Sequence, residues 1–209
     1  MRISKYFSQE KILSRREAED YIRQGKISVN GEIVTDLGRQ IDPKIDKIEI
    51  VGEKEEKTTV LFYKPRGVET SEIFNLVPKF RHLNTVGRLD KESEGLILLS
   101  NDGVVTNLVT GKEHVVEKEY LVETKEKVTQ TQINAMSKVM NLSDGPTLPA
   151  KAEIVSDHSF KIILKEGRNH QVRRMANQVR LTVNKLTRIR IGNLTVDDLL
   201  PGQYKKVHF

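Results

Sequence analysis

The chain has 209 residues, of which 37% are hydrophobic and 31% are charged, and it contains no cysteine. The absence of cysteine excludes a disulfide framework, a thiol nucleophile and a zinc–thiolate site, and no apolar run approaches the ~18 residues of a membrane span. The formal net charge is +6, and all of it falls after residue 57, since residues 1–57 hold 12 basic and 12 acidic side chains. The polar N-terminus lacks the apolar region of a signal peptide, so we expect a cytoplasmic protein.

The first 51 residues predict two short helices followed by a hairpin. Ser14 is followed three residues later by Glu17, which is the capping-box pattern of a helix start. Asn30-Gly31, between alternating apolar residues, predicts a tight hairpin. A third short strand is predicted near residue 48.

This order of elements resembles the S-four domain, a small RNA-binding domain first seen in a ribosomal protein of the small subunit. The matching residues are 14–18, Ile22, Gly25, 29–31 and Val34. The resemblance implies that the basic face of the helices meets RNA, where lysine and arginine grip phosphate without reading sequence. The candidate contacts are Lys5, Arg15, Arg16, Arg23 and Lys26. The alternative is an ordinary α/β subdomain with surface arginines.

A charged stretch without apolar periodicity, residues 52–59, predicts a linker between a domain of residues 1–51 and a domain of residues 60–209. The second domain alternates apolar strands with two candidate helices, residues 129–140 and 168–179. Residues 165–190 contain eight lysines and arginines against one glutamate, which indicates a phosphate-binding surface or a solvated charged face.

One acidic residue, Asp90, stands directly before a near-continuous apolar strand in the segment VGRLDKESEGLILLSNDG, residues 86–103. Gly87 allows the backbone to bend, and Arg88 supplies a planar cation. A nucleophilic carboxylate needs a rigid mount of this kind, because small errors in its aim are costly. From this pattern alone, Asp90 could equally be a turn residue or a helix cap.

Further motifs follow in a fixed order along the chain. They are Lys64-Pro65-x-Gly67, Lys118-x-Tyr120-x-Val122, residues 166–175, Leu186-x-Arg188 and Pro201-Gly202. Together with residues 87–103 they resemble the bacterial ribosomal RNA pseudouridine synthases of the RsuA/RluB/RluE/RluF group, most closely the RluF type. The resemblance implies an α+β fold: a small S-four-like RNA-binding domain plus a catalytic domain with a mixed, mostly antiparallel sheet flanked by helices.

The family resemblance also implies roles for three catalytic residues. Asp90 would be the nucleophile at C1′ of the ribose, and Tyr120 would stack on uracil and help move the C5 proton. Arg173 would be the partner that keeps the Asp90 carboxylate ionised and oriented. Alternatives are a half-buried strand tyrosine for Tyr120 and a plain surface arginine for Arg173.

The remaining site residues are implied as contacts to substrate or RNA. Arg88 would fill the gap left by a flipped uridine, or else simply pair with Asp90. Leu186 would line the uracil pocket, Arg174 would face RNA or solvent, and Arg188 would reach phosphates or the surroundings of Asp90. Lys64 would contact substrate or act as a structural lysine at a strand end, while His170 is expected to be structural.

One residue departs from the family pattern, since Arg180 stands where a glycine is usual after the late helix. A side chain is costly there if the backbone has positive φ, so the helix end is expected to differ.

The expected function is isomerisation of one uridine in structured RNA, most favourably large-subunit 23S ribosomal RNA. Because bonds are exchanged within one nucleotide, no cofactor and no metal are expected, and the five histidines show no ligand spacing. We also expect a monomer with no membrane partner. The alternatives are small-subunit ribosomal RNA, a tRNA stem-loop, or a non-catalytic ribosome-assembly factor on the same scaffold. The last would predict loss of Asp90, Tyr120 or Arg173, and all three are present.

Overall fold

The computed structural model describes residues 1–52, 56–111 and 116–208. The N-terminal part has two helices and a three-stranded antiparallel sheet in the order β2-β1-β3. Its elements are α1 (Ile3–Gln9), α2 (Arg15–Arg23), β1 (Ile27–Val29), β2 (Glu32–Ile33) and β3 (Ile48–Ile50). The predicted capping box is present: the Ser14 side chain accepts from the Glu17 amide, and the Glu17 carboxylate accepts from the Ser14 amide. The predicted helices and hairpin are therefore confirmed.

The C-terminal part is built on a nine-stranded sheet. Its central path runs in the order β10-β11-β7-β12-β6-β4-β14, with β5 paired to β6 and β13 paired to β12. The strands are β4 (Thr59–Lys64), β5 (Asn84–Val86), β6 (Glu94–Ser100), β7 (Lys118–Thr124), β10 (Lys151–Ser156), β11 (Ser159–Leu164), β12 (Val183–Ile191), β13 (Leu194–Thr195) and β14 (Tyr204–Lys206). A separate small hairpin joins β8 (Asn141–Leu142) to β9 (Gly145–Pro146).

Among the described strands, β12 with β6 is the parallel pairing and all others are antiparallel. The expected mixed, mostly antiparallel sheet is thus confirmed. The helices that flank it are α3 (Ile73–Leu76), α4 (Gly103–Thr110), α5 (Gln130–Met136) and α6 (Gln171–Gln178). None of the described helices is both long and apolar enough to cross a membrane.

The close approach of β6 and β12 depends on Gly95, which has φ +106°. A Cβ atom there would lie 2.3 Å from the carbonyl oxygen of Arg188, a distance that no side chain tolerates. Gly95 therefore allows β6 and β12 to pair closely, next to the loop that carries Asp90.

The helix α6 ends in the backbone geometry that usually calls for glycine. Arg180 has φ +63°, its amide bonds to the Asn177 carbonyl, and the Leu181 amide bonds to the Ala176 carbonyl. This pair of bonds is the Schellman motif. The expectation that the helix end differs because of Arg180 is therefore wrong: the chain keeps the left-handed turn and accepts the strain of a side chain.

The predicted linker, residues 52–59, includes residues 53–55, which lie outside the described residues. Strand β4 begins at Thr59, at the end of that stretch. The division into two domains with these bounds stays a prediction.

Candidate active site

The loop that carries Asp90 connects β5 to β6 and is held on both sides. Gly87, with φ +78°, supplies the bend that precedes it. The Thr70 hydroxyl donates to the Leu89 carbonyl at 2.8 Å and accepts from the Leu89 amide at 3.1 Å. Leu89 itself is buried in the core cluster that also contains Tyr120. The Asp90 carboxylate thus stands on an anchored backbone, with 31% of its side chain exposed.

Arg188 supports the same loop from behind. Its side chain is buried, and its Nε donates to the Leu96 carbonyl at 2.6 Å. One terminal nitrogen, Nη1, donates to the Arg88 carbonyl at 3.3 Å, while Nη2 is buried without a partner. Arg188 was expected to reach phosphates or the surroundings of Asp90, and the structure supports the second of these, because Arg188 ties the Asp90 loop to β6.

A cavity of about 720 Å³ opens beside Asp90, and its size suits a small ligand. Its walls bring together several of the predicted site residues. These are Arg88, Asp90, Tyr120, Leu186 and Arg188, joined by Lys118, Leu164 and His170. The cavity therefore combines a carboxylate and cationic groups with an apolar, partly aromatic wall.

The apolar wall comes from the alternation of β7 and β12. Tyr120 lies opposite Arg188 in the register, and Leu186 lies opposite Val122. Tyr120, Val122 and Thr124 share the buried face of β7, as the alternation predicts. Tyr120 and Leu186 retain only 8% and 4% exposure, so both are fixed by packing before any ligand enters.

The direct partner of the Asp90 carboxylate is His170, whose Nε2 lies 3.5 Å from Oδ1. Arg173 instead donates to the carbonyl of Glu92 at 2.9 Å and to the carbonyl of Val183 at 3.4 Å. The expected direct ion pair between Arg173 and Asp90 is therefore wrong, because the Arg173 guanidinium is hydrogen-bonded to the Glu92 carbonyl of the loop instead. Burial lowers the pKa of Arg173, and the nearby charge of Asp90 opposes that shift.

His170 was missed as a site residue because it looked structural. It has φ +49° and ψ +31°, a left-handed conformation, directly before α6. Histidine, asparagine and aspartate adopt this conformation more readily than other side chains. This turn brings the imidazole to the wall of the cavity. The sequence signal that could have indicated a site residue was the position of His170 within the motif of residues 166–175.

Lys64 does not reach the cavity. It is fully buried, and its ammonium donates to the carbonyls of Pro65 at 2.9 Å, Val68 at 2.6 Å and Lys91 at 3.5 Å. Burial lowers the pKa of Lys64 to about 8. The geometry favours the structural alternative for Lys64, because every ammonium proton is already used to hold the loops around the site.

Arg174 is also occupied within the protein. It donates to both carboxylate oxygens of Asp144, at 2.9 and 3.0 Å, and so ties α6 to the turn between β8 and β9. These bonds lower the pKa of Asp144 to about 2. The expectation that Arg174 faces RNA or solvent is therefore wrong, since its guanidinium is bound to the turn of the β8–β9 hairpin.

The exposed cations divide between the two parts of the chain. Arg88 is exposed at the cavity mouth, and its guanidinium has no hydrogen-bond or ion-pair partner among the described residues. The alternative that Arg88 merely neutralises Asp90 therefore finds no support. Lys5, Arg15 and Arg16 are exposed on the N-terminal helices, and their contact with RNA stays a prediction. In the described part of the chain, no group of three or more His, Asp and Glu side chains is arranged to hold a metal.

Comparison with known proteins gives the same assignment for both parts. The family described as RNA pseudouridylate synthase matches residues 58–178, and the S4 domain, here called S-four, matches residues 1–44. A solved structure described as a pseudouridylate synthase superposes with a TM-score of 0.71 at 31% identity, covering 100% of this chain and 96% of its own.

Two curated relatives match nearly the full length. Ribosomal large subunit pseudouridine synthase B of Bacillus subtilis strain 168 is 32% identical, over 99% of this chain and 91% of its own length. Dual-specificity RNA pseudouridine synthase RluF of Escherichia coli strain K12 is 34% identical, over 98% of this chain and 74% of its own length. The geometry of the cavity and these likenesses together show that the chain belongs to the RNA pseudouridylate synthase family, as an RsuA-type member with an N-terminal S4 domain.

Proposed function

We propose that the protein converts one uridine of structured ribosomal RNA into pseudouridine, with Asp90 as the carboxylate that acts at the ribose. The observation that carries the proposal is the position of Asp90 on an anchored loop, at a cavity that Tyr120 and Leu186 also line. That arrangement supplies a charge for the sugar and an apolar wall for the base within one enclosure.

The reaction breaks the bond from C1′ to N1 of uracil and makes a bond from C1′ to C5. The C5 proton leaves and N1 gains a proton, so the product is an isomer and no external reactant is consumed. Asp90 attacks C1′ or promotes departure of the base, and the ring of Tyr120 holds uracil while it turns. The Tyr120 hydroxyl would then help to remove the C5 proton.

A uridine within folded RNA must leave its stack before Asp90 can reach the sugar. Arg88 is suited to this step because its guanidinium is exposed beside Asp90 and is not committed to another residue of the described chain. A planar cation can stack on the bases that flank the vacated position or hold the displaced phosphate. Lys5, Arg15 and Arg16 would meanwhile grip the RNA backbone from the N-terminal domain.

The ribosomal large subunit is the favoured source of the substrate. One relative bears the large subunit in its name and another is named for dual specificity. Small-subunit ribosomal RNA and a tRNA stem-loop are the alternative substrates, because the fold of the RNA rather than its sequence alone directs such enzymes.

Release of tritium from RNA labelled at C5 of uracil tests the proposal. Transcripts of large-subunit RNA, small-subunit RNA and tRNA are incubated with the protein, and tritium in the solvent is counted. Release from the large-subunit transcript is expected. Release from none of the three would contradict the proposed activity and leave a non-catalytic RNA-binding role. Release from the small-subunit transcript or the tRNA alone would show that this RNA, and not large-subunit RNA, is the substrate.

A further inference from the structure

A second cleft of about 460 Å³ adjoins the active-site cavity along the Asp90 loop. Its outer wall is formed by Thr70 and Ser71 at the start of the short helical turn before α3, and by Thr85 of β5. Its inner wall is shared with the active-site cavity and includes Arg88, Asp90 and His170. The two clefts therefore adjoin each other along this loop.

The residues that line this second cleft all carry polar or charged side chains except Leu89. Ser71, Thr85 and Asn169 offer side-chain donors and acceptors that are not bonded to any described residue. The charges around it are the free Arg88, the Asp90 carboxylate on the shared wall and a Lys91–Glu69 pair whose atoms are 3.7 Å apart. Hydroxyl, amide and guanidinium groups of this kind bind the edges and faces of unstacked bases.

We propose that this cleft holds the nucleotide next to the target uridine, as a second base-binding subsite. The inference rests on the proposed function. When the target enters the cavity, Arg88 stands where the strand divides, so the neighbouring base loses its stacking partner. Because the two clefts share a wall, a strand whose target uridine occupies the cavity can present the adjacent nucleotide to the second cleft. The volume of that cleft lies within the usual range for a small-ligand site.

The subsite has a consequence for specificity. A base that is merely displaced into solvent contributes nothing, whereas a base held by hydrogen bonds and by stacking on the Arg88 guanidinium is expected to raise kcat/KM roughly tenfold. The neighbouring base is therefore expected to help select the site, although it takes no part in the chemistry.

The test uses RNA with tritium at the target uracil and an abasic residue at the 5′ neighbour, the 3′ neighbour, or a control position several nucleotides away. With wild-type protein, one of the two neighbouring abasic sites is expected to lower kcat/KM at least about tenfold. The distant abasic site is expected to lower it less than twofold. This comparison needs no protein variant, so folding does not enter the result.

A cavity-filling variant supplies the second half of the test. Ser71→Phe blocks the outer wall and is expected to lower kcat/KM about tenfold on intact RNA, but less than twofold on the sensitive abasic RNA. Thr131→Phe, on the exposed start of α5 and away from both clefts, is the matched control and is expected to behave as wild type.

Two results would overturn the subsite while leaving the proposed function intact. One is turnover within twofold of normal on both neighbouring abasic RNAs. The other is an equal loss for Ser71→Phe on intact and abasic RNA, which would mean that the cleft does not hold that base. Absence of tritium release from intact RNA by wild-type protein would instead reject the proposed function itself.

Discussion

Arg188 offers the sharpest test of how the Asp90 loop is held. Its guanidinium donates to the Arg88 carbonyl, which precedes Asp90 in the loop, and to the Leu96 carbonyl of β6, which follows the loop. A hydrogen bond from a charged donor contributes about 1.5–3 kcal/mol, so the two bonds together contribute roughly 3–6 kcal/mol. Against this stands the buried, unpartnered Nη2, whose desolvation costs about 1–3 kcal/mol. The net contribution to the free energy of unfolding is therefore about 0–5 kcal/mol, with a midpoint near 2.5 kcal/mol.

Arg188→Lys keeps the charge but has a single nitrogen, which can reach one carbonyl and not both. We expect it to lose about 1–2 kcal/mol of stability, measured by urea unfolding. The larger effect is on catalysis, because an error of about 1 Å in the aim of a catalytic group costs roughly 100-fold in rate. We expect kcat in the tritium-release assay to fall by about that factor, with KM changed less than threefold.

The matched control is Arg190→Lys on the same strand. Arg190 pairs with Glu117 and Glu119 rather than with the Asp90 loop, so kcat is expected to stay within threefold of wild type. If Arg188→Lys also kept kcat within threefold, the position of the Asp90 loop would not depend on this arginine.

Three further predictions concern stability. Gly95→Ala forces a Cβ to 2.3 Å from the Arg188 carbonyl oxygen, so we expect a loss of more than about 3 kcal/mol in urea unfolding. Gly67→Ala, which also has positive φ but meets no atom within 4 Å, should lose only about 1 kcal/mol. Arg180→Gly relieves a left-handed side chain and should gain about 0.5–1 kcal/mol in the same assay. Between pH 8 and 10.5, folded Lys64 is neutral while the unfolded lysine still binds a proton, so the free energy of unfolding rises with pH by about 3 kcal/mol. Burial lowers the pKa of Lys118 to about 8 as well, so Lys64→Met should keep the Lys118 contribution and rise by about 3 kcal/mol less than wild type.

Each of these stability predictions has a result that contradicts it. Equal losses for Gly95→Ala and Gly67→Ala would show that β6 and β12 are not in close contact at residue 95. A destabilised Arg180→Gly would mean that the arginine side chain outweighs its backbone strain. Parallel pH curves for wild type and Lys64→Met would show that the lysine titrates at its ordinary pKa.

The sequence specified the scaffold well, because its signals are local. The capping box at Ser14, the Asn30-Gly31 hairpin and the alternation around Tyr120 each depend on residues a few positions apart. Helix α4 was not foreseen, since the valines and threonines that follow the turn at residues 101–103 are typical of strands. Its start depends on the Asp102 side chain, which accepts from the Val104 amide. A cap of this kind competes with strand formation, and the local pattern alone does not decide between them.

The partners within the site were harder to foresee. Arg173 lies about eighty residues from the Asp90 loop, and whether it meets a carboxylate or a backbone carbonyl depends on how α6 packs against that loop. The left-handed turn at His170 brings a different side chain to Asp90. Lys64 shows the same limit, since a lysine at the end of a strand carries no signal of the three carbonyls that surround it.

The direct test of the central claim is single-turnover tritium release by Asp90→Asn on the RNA that wild-type protein modifies. Asparagine keeps the size of the side chain and removes the charge, and Asp102→Asn at the start of α4 serves as the matched control. Loss of the proposed nucleophile is expected to lower the rate about 10⁴-fold, while RNA binding and stability remain near wild type. A rate within tenfold of wild type for Asp90→Asn would contradict the account.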